Sequence, residues 1–432
     1  MAESGHEICI STRFNVPCVL SLLMNCQVIF LIFSLPVMVF GEVWEQAPPT
    51  AVEFEKSQLT SIYVSEGASV GDINHDGKMD VVAGPRVWLG PSFEESYDYM
   101  ELRSAVRPKG YTSNFFTFPD RLTDDVWVDI LQVGLPGTTA QLAVNPGKFF
   151  VAPGEGHTSS CPHCDVQNDI CNESPRFLDV IGDEKKELLC FSGGYLILAV
   201  PGEDPTEAWR VHRLSGKDPK KFRRYEHGLG VGDLNGDGLK DILERSGWWE
   251  QPVGWDGVST WRYHPYPFAP EKGGAQMFAY DIDGDGEQDV VSALNAHGYG
   301  MAWFEQIELN GSIGFKKHIV MTDKPEGNPY GVCFSQPHAM ACADIDGDGI
   351  EDVVTGKCYF AHNGKDPGAH DPAVLYWFRT VRHPDGSAEL VPYQIDDDSG
   401  VGRQITAADL NDDGKIDLAV ANKKGVFVFI QK

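Results

Sequence analysis

Five nine-residue stretches carry oxygen-bearing side chains at alternate positions ahead of a glycine: Asp72-Ile-Asn74-His-Asp76-Gly77-Lys-Met-Asp80, Asp233-Leu-Asn235-Gly-Asp237-Gly238-Leu-Lys-Asp241, Asp281-Ile-Asp283-Gly-Asp285-Gly286-Glu-Gln-Asp289, Asp344-Ile-Asp346-Gly-Asp348-Gly349-Ile-Glu-Asp352 and Asp409-Leu-Asn411-Asp-Asp413-Gly414-Lys-Ile-Asp417. Hard oxygens at positions 1, 3, 5 and 9 suit Ca²⁺, and glycine at position 6 allows the sharp turn that points them inward. Up to five structural calcium sites are expected. An EF-hand would instead place a bidentate Glu at position 12 between helices. Here apolar β-branched runs such as Val81-Val82, Val290-Val291 and Val353-Val354 follow the loops. Such runs read as strands, so each cradle joins one strand to the next.

Two weaker copies, Asp179 to Glu187 and Arg121 to Asp129, bring the first positions to 72, 121, 179, 233, 281, 344 and 409. A period of ~50–65 residues fits a four-stranded propeller blade with variable loops. The expected fold is therefore all-β, a seven-bladed β-propeller of four-stranded blades. In the weak second copy the fixed charge of Arg121 is expected to replace the metal, unless the loop has simply decayed. Past Asp417 the chain has room for two more strands, Leu418–Ala421 and Val426–Ile430. The segment Val52–Leu59 is the expected outer strand of the last blade, closing the ring and covering its edge.

Stepping back six residues from each loop start reaches the beginning of each innermost strand, where Glu66, Phe115, Glu173, His227, Ala275, His338 and Arg403 stand. Equivalent positions in a ring converge on its axis. Two carboxylates, two imidazoles and a guanidinium there make a funnel with acid, base and anion-binding groups. Glu66, Glu173, His227, His338 and Arg403 are the candidate catalytic residues. His227, His338 and Glu173 are also a candidate set for Zn²⁺ or another divalent ion. The loops between second and third strands should open at the same end and bring Arg86, Arg245, Asn295, His297, Lys357 and Lys423 as ligand-binding groups, with Gln276 and His157 beside the ring. Solvated loop charge is the competing reading of the basic rim. His212, His264 and His318 recur at one outer-strand position and are assigned to blade packing or surface.

The chain has 432 residues, 46 Gly, 27 Pro and a net charge of −28, much of it from the aspartates of the five loops. That acidity is a metal-binding signature and argues against a nucleic-acid partner. Residues 16–40 are nearly continuously apolar, so 1–41 reads as a signal peptide or a membrane anchor and 42–432 as the propeller. The expected location is secreted, periplasmic or cell-surface. Of ten cysteines, Cys161, Cys164 and Cys171 crowd a segment taken as an insertion between blades two and three. A local disulfide is expected there, with a Cys/His zinc site as the alternative.

The loop pattern resembles the FG-GAP or VCBS repeat of exported bacterial proteins and integrin-type propellers over about residues 42–432. Asn172-Glu-Ser-Pro175, His227-Gly-Leu-Gly230, Gly247-Trp-Trp-Glu-Gln-Pro252, Gly273-Gly-Ala-Gln-Met277, Ala296-His-Gly-Tyr-Gly300, Ser335-Gln-Pro-His338 and Asp398-Ser-Gly-Val-Gly402 are similar to phrases of a planctomycete-type VCBS group. More loosely, they are similar to the propeller domain of aldos-2-ulose dehydratase, which acts on a keto-sugar. The resemblance implies a carbon–oxygen lyase on a keto-sugar: a His or Glu takes a proton beside the carbonyl, Arg403 or a metal steadies the enolate, and the other imidazole protonates the leaving hydroxyl. The alternative is a non-catalytic module that binds carbohydrate or a protein. A phosphate loop, a nucleophile elbow and an HExxH motif are all missing from the sequence, which removes several commoner enzyme classes.

Overall fold

The structure is a computed structural model and describes residues 52–101, 109–149, 161–269 and 273–432. The expected signal or anchor segment and His157 lie outside the described residues. Among those residues no helix is long and apolar enough to cross a membrane.

The chain folds as seven four-stranded antiparallel sheets, the blades of a propeller. They span 69–98, 116–170, 176–213, 229–265, 278–321, 337–396 and, for blade seven, 405–431 together with Phe54–Thr60. That N-terminal strand pairs antiparallel with Gly425–Gln431, Phe54 opposite Gln431, so one sheet holds both ends of the ring. The expected closing strand is present and ends one residue later than its sequence pattern indicated.

The second strand of each blade is apolar on both faces because each face feeds a different core. Val81 packs between blades one and seven and Val82 between one and two. Val290 and Val291, and likewise Val353 and Val354, divide in the same way between the two neighbouring gaps. Period-two alternation thus appears as a continuous hydrophobic run. The seven gaps hold seven such clusters, and the closing gap between blades seven and one is packed like the rest.

The cysteine segment departs from expectation. Residues His163–Ile170 are the outer strand of blade two, paired with Thr138–Ala143, and form no insertion. All seven described cysteines are free thiols. Cys161 packs into the gap between blades one and two, Cys164 against that between two and three, and Cys171 into that between three and four. Strand pleat sends neighbouring residues to opposite cores, which keeps these thiols apart. Burial raises Cys161 to about 12 and Cys171 to about 11, so neither is an available thiolate.

The outer-strand histidines do pack on the blades. His264 stacks on Trp248 at 4.0 Å and bonds Glu250, and His318 stacks on Trp303 at 4.1 Å and bonds Glu305. His212 meets the carbonyl of Gly257 and the edge of Trp255.

Candidate functional site

Each acidic loop links an innermost strand to the second strand of its blade. In blade four the chain winds around the position-1 carboxylate: Asp237 N–H donates to Asp233 Oδ1 at 3.1 Å and Gly238 N–H to Oδ2 at 2.8 Å. The position-6 glycine lies in the left-handed region in all five loops, at φ +82° to +96° (Gly77 +82°, Gly286 +96°), where a side chain would be strained. Blade three puts Glu184 there at φ 69°.

The position-9 acids take a different place. Asp80, Asp241, Asp289, Asp352 and Asp417 are buried at the start of the second strand. One oxygen of Asp289 accepts the N–H of Ile282 at 2.9 Å, the other that of Gln306 at 2.7 Å. The other four tie the loop to the blade in the same way, through Ile73 and Gly90, Leu234 and Gln251, Ile345 and Thr380, Leu410 and Gln431. They are struts first. Positions 1, 3 and 5 form the outward-facing clusters. Asp281, Asp283 and Asp285, and likewise Asp344, Asp346 and Asp348, each bring three carboxylate oxygens within 4.8 Å of one another. Where position 3 is Asn its amide donates to position 5, as from Asn74 to Asp76 at 2.8 Å, Asn235 to Asp237 at 3.1 Å and Asn411 to Asp413 at 3.3 Å.

Protein cations answer some of this charge. In blade two Arg121 is exposed, and it is Lys148, from the turn Pro146–Phe149, that meets the Asp125 carboxylate at 2.6 Å. The cation beside this loop is therefore not Arg121 but Lys148, 23 positions beyond Asp125 in the chain. In blade six Arg379 reaches Asp346 at 2.5 Å and Asp348 at 3.0 Å.

At the opposite ends of the innermost strands, Glu66, Phe115, Glu173, His227, Ala275, His338 and Arg403 are all buried. His227 Nε2 and His338 Nε2 face each other at 3.0 Å. Glu173 Oε2 lies 3.6 Å from the first, 3.3 Å from the second and 3.2 Å from Arg403 Nε. Arg403 Nη1 meets Glu66 Oε2 at 3.0 Å and Cys358 Sγ at 2.9 Å. Tyr63 donates its hydroxyl to the other Glu66 oxygen. Among the described residues, Arg403 Nη2 and His338 Nδ1 are buried here without a protein partner.

Charge is divided unevenly over this cluster. Burial would raise Glu173, but Arg403 and the two imidazoles hold it well below the usual carboxylate range. Burial lifts Glu66 despite Arg403. Burial and then the guanidinium push His338 well below the ordinary imidazole value, which keeps it neutral with one ring nitrogen free of a proton.

The rim residues divide. His297 joins the cluster, its ring 4.9 Å from His227 and 5.0 Å from His338, and the ring nitrogens of all three lie within 4.8 Å. Its Nδ1 pairs with Asp366 at 3.1 Å, and His362, also bonded to Asp366, stacks on it at 4.4 Å. Lys423 reaches the Phe360 carbonyl and lies over Tyr111 at 4.3 Å. Lys357 is buried on Ser335 and the Gly368 carbonyl. Arg245 pairs with Glu226 at 3.1 Å, just before His227. Gln276 donates to the Arg403 carbonyl at 2.7 Å and accepts from Met340 N–H at 2.9 Å, beneath the cluster. Asn295 accepts the N–H of His297 and shapes that turn. The structure does not bring Arg86 to the axis: it pairs with Asp98 across the outer strand of blade one at 2.6 Å.

Sequence reasoning missed Asp366, His362, Tyr63 and Cys358. The one available signal was the unusually long 358–374 loop of blade six, with His362 and Asp366 four apart.

The FG-GAP-like repeat family matches residues 281–355, which hold the acidic loops of blades five and six. No curated protein matches the chain. Among solved structures, the chain is similar to one described as the structural basis of specific recognition of non-reducing terminal N-acetylglucosamine by an Agrocybe aegerita lectin. That pair shares 16% identity at a TM-score of 0.46, over 78% of this chain and 81% of that one. It is similar also to BBS1N in complex with ARL6DN, soaked with mercury, with 10% identity and a TM-score of 0.43 over 87% of this chain and 94% of that one. What the chain has been shown to be is a seven-bladed propeller carrying His, Asp and Glu clusters able to coordinate metal.

Proposed function

We propose that the axial cluster holds a divalent metal ion through His227, His297 and His338 and uses it, with Arg403, to bind a small oxygen-rich ligand of sugar-like chemistry. One observation carries this reading: two buried Nε2 atoms face each other at 3.0 Å with a carboxylate oxygen at 3.3 and 3.6 Å from them. Nitrogens bound at ~2.0–2.1 Å to one tetrahedral ion lie ~3.3 Å apart, so these side chains need little movement to share one. Asp366 on Nδ1 of His297 fixes the tautomer and leaves the other nitrogen for the ion. When bound, the ion would polarise a ligand hydroxyl or carbonyl oxygen. The remaining guanidinium N–H of Arg403 and the cations of Lys357 and Lys423 suit an oxygen-rich ligand.

The test is metal analysis of the full chain purified without chelator. A non-calcium metal in stoichiometric amount, lost in His338→Ala together with glycan or keto-sugar binding, is the expected result. Metal-free wild-type protein, or sugar binding unchanged in His338→Ala, would refute it.

The His297–Asp366 pair favours a second reading, a lyase. Burial lowers His297, although Asp366 opposes the shift, so the imidazole is neutral and able to take a proton beside a carbonyl. Arg403 would then face the enolate oxygen, and the departing hydroxyl would leave as water with the proton that His297 has taken. Dehydration of a keto-sugar that disappears in His297→Gln while sugar binding persists would establish this reading over simple binding.

At the rim the proposal is structural Ca²⁺ in up to five loops. Support comes from the oxygen-only clusters at Asp281, Asp283 and Asp285 and at Asp344, Asp346 and Asp348. An exported, calcium-rich setting fits those loops and the apolar run 16–40; free thiols lend it no support.

A further inference from the structure

Between the axial cluster and the acidic loops, the innermost strands line a partly open cavity of about 250 Å³. Its wall mixes polar and apolar groups and carries four aromatic rings, Phe116, Phe118, Phe177 and Phe278. Three polar side chains on the wall are engaged by protein. Gln276 spans Arg403 and Met340, Gln404 accepts from Thr117 N–H and donates to Thr117 O, and Thr406 donates to the Ala68 carbonyl.

Arg176 is different. It comes from the innermost strand of blade three, Arg176–Leu178, and lines the cavity with its guanidinium over the Phe278 ring at 4.8 Å. Among the described residues its N–H groups meet no carboxylate and no hydrogen-bond acceptor, and no acidic residue lines the cavity. Burial lowers its pKa to about 10, and the one ionisable side chain acting on it is Cys342, a thiol that burial holds well above its ordinary value and so uncharged. Arg176 is half-buried, and a guanidinium without a protein counter-charge in a partly screened channel attracts an anion. A guanidinium offers a planar pair of donors that fits a carboxylate in bidentate fashion.

We propose that this chamber is a second ligand site, separate from the His cluster, for a small monocarboxylate with an apolar body: the carboxylate on Arg176, the body against the phenyl rings. A phosphate dianion fits less well. The wall supplies one cation and no second donor group that is free.

The test uses the full chain and benzoate as probe, by calorimetric titration and thermal melting. Wild type is expected to bind benzoate and to melt higher in its presence. Arg176→Met should weaken binding tenfold or more, lose the melting shift, and melt no lower than wild type without ligand, because it removes a charge that lacked a partner. Ala341→Leu keeps Arg176 and fills the cavity wall, and should also abolish binding. His338→Ala should retain the benzoate response, which separates this site from the axial one. Benzoate binding that survives both Arg176→Met and Ala341→Leu would overturn the proposal. Inorganic phosphate raising the melting temperature where benzoate does not would overturn the ligand class.

Discussion

The propeller gathers ionisable groups at two places and treats them in opposite ways. At the rim, each acidic cluster comes from one short loop, is open to solvent, and carries excess negative charge that protein cations answer only in part. At the axis, each blade gives at most a few side chains, and carboxylates, imidazoles and a guanidinium meet in the interior with their charges already matched. Arg403 alone touches two carboxylates there. The proposed rim sites call for an external cation to offset that excess, whereas the axis balances its charges from within and leaves Arg403 Nη2 without a protein acceptor among the described residues.

The largest effect that separates the two belongs to the rim. Each loop holding Ca²⁺ at a hundredfold excess over its Kd contributes ~2.7 kcal/mol, so chelation should lower the melting temperature by many degrees when several sites are filled. Calorimetric scans with and without chelator, with metal loss confirmed, measure this. An unchanged melt would leave the rim as self-sufficient as the axis.

Next comes Arg403→Ala. Breaking a buried ion pair from one side costs ~3–5 kcal/mol, and here Glu66 and Glu173 would both be stranded. Substitution of His338 removes no guanidinium–carboxylate pair and should cost far less, and denaturant titration of Arg403→Ala beside His338→Ala decides it: equal midpoints would mean that Arg403 is no counter-ion.

Lys148→Ala gives the smallest change. Its pair with Asp125 is more than a third exposed, so solvent screens it and the loss should stay below ~1 kcal/mol. The informative readout is calcium titration. Removing the lysine should strengthen cation binding at that loop, and no change would show that it does not stand in for a metal.

Particular residues show how far the sequence could be read. The loop frame at Asp281 located a cradle, a strand junction and, six residues upstream, an axial position, because all three are fixed by local register. The cysteines were misread because Cys161 and Cys164 are neighbours along the chain and yet face different inter-blade cores. Arg121 was named in place of Lys148 because which cation folds back on a loop depends on the path of a later turn. Arg86 was grouped with the rim by its offset alone; its cross-strand neighbour Asp98 captured it.

The sequence by itself determined the blade count, the acidic cradles, the closing strand and the seven residues at or just before the starts of the innermost strands, since each rests on a repeat or on period-two alternation carried within a few residues. Only the tertiary structure decided which of those residues meet. His227 and His338 are 111 residues apart in the chain, Arg403 and Glu66 337 apart, and nothing local sets their distances. Ring closure does so, by bringing seven strand ends to one axis where burial makes every charge choose a partner.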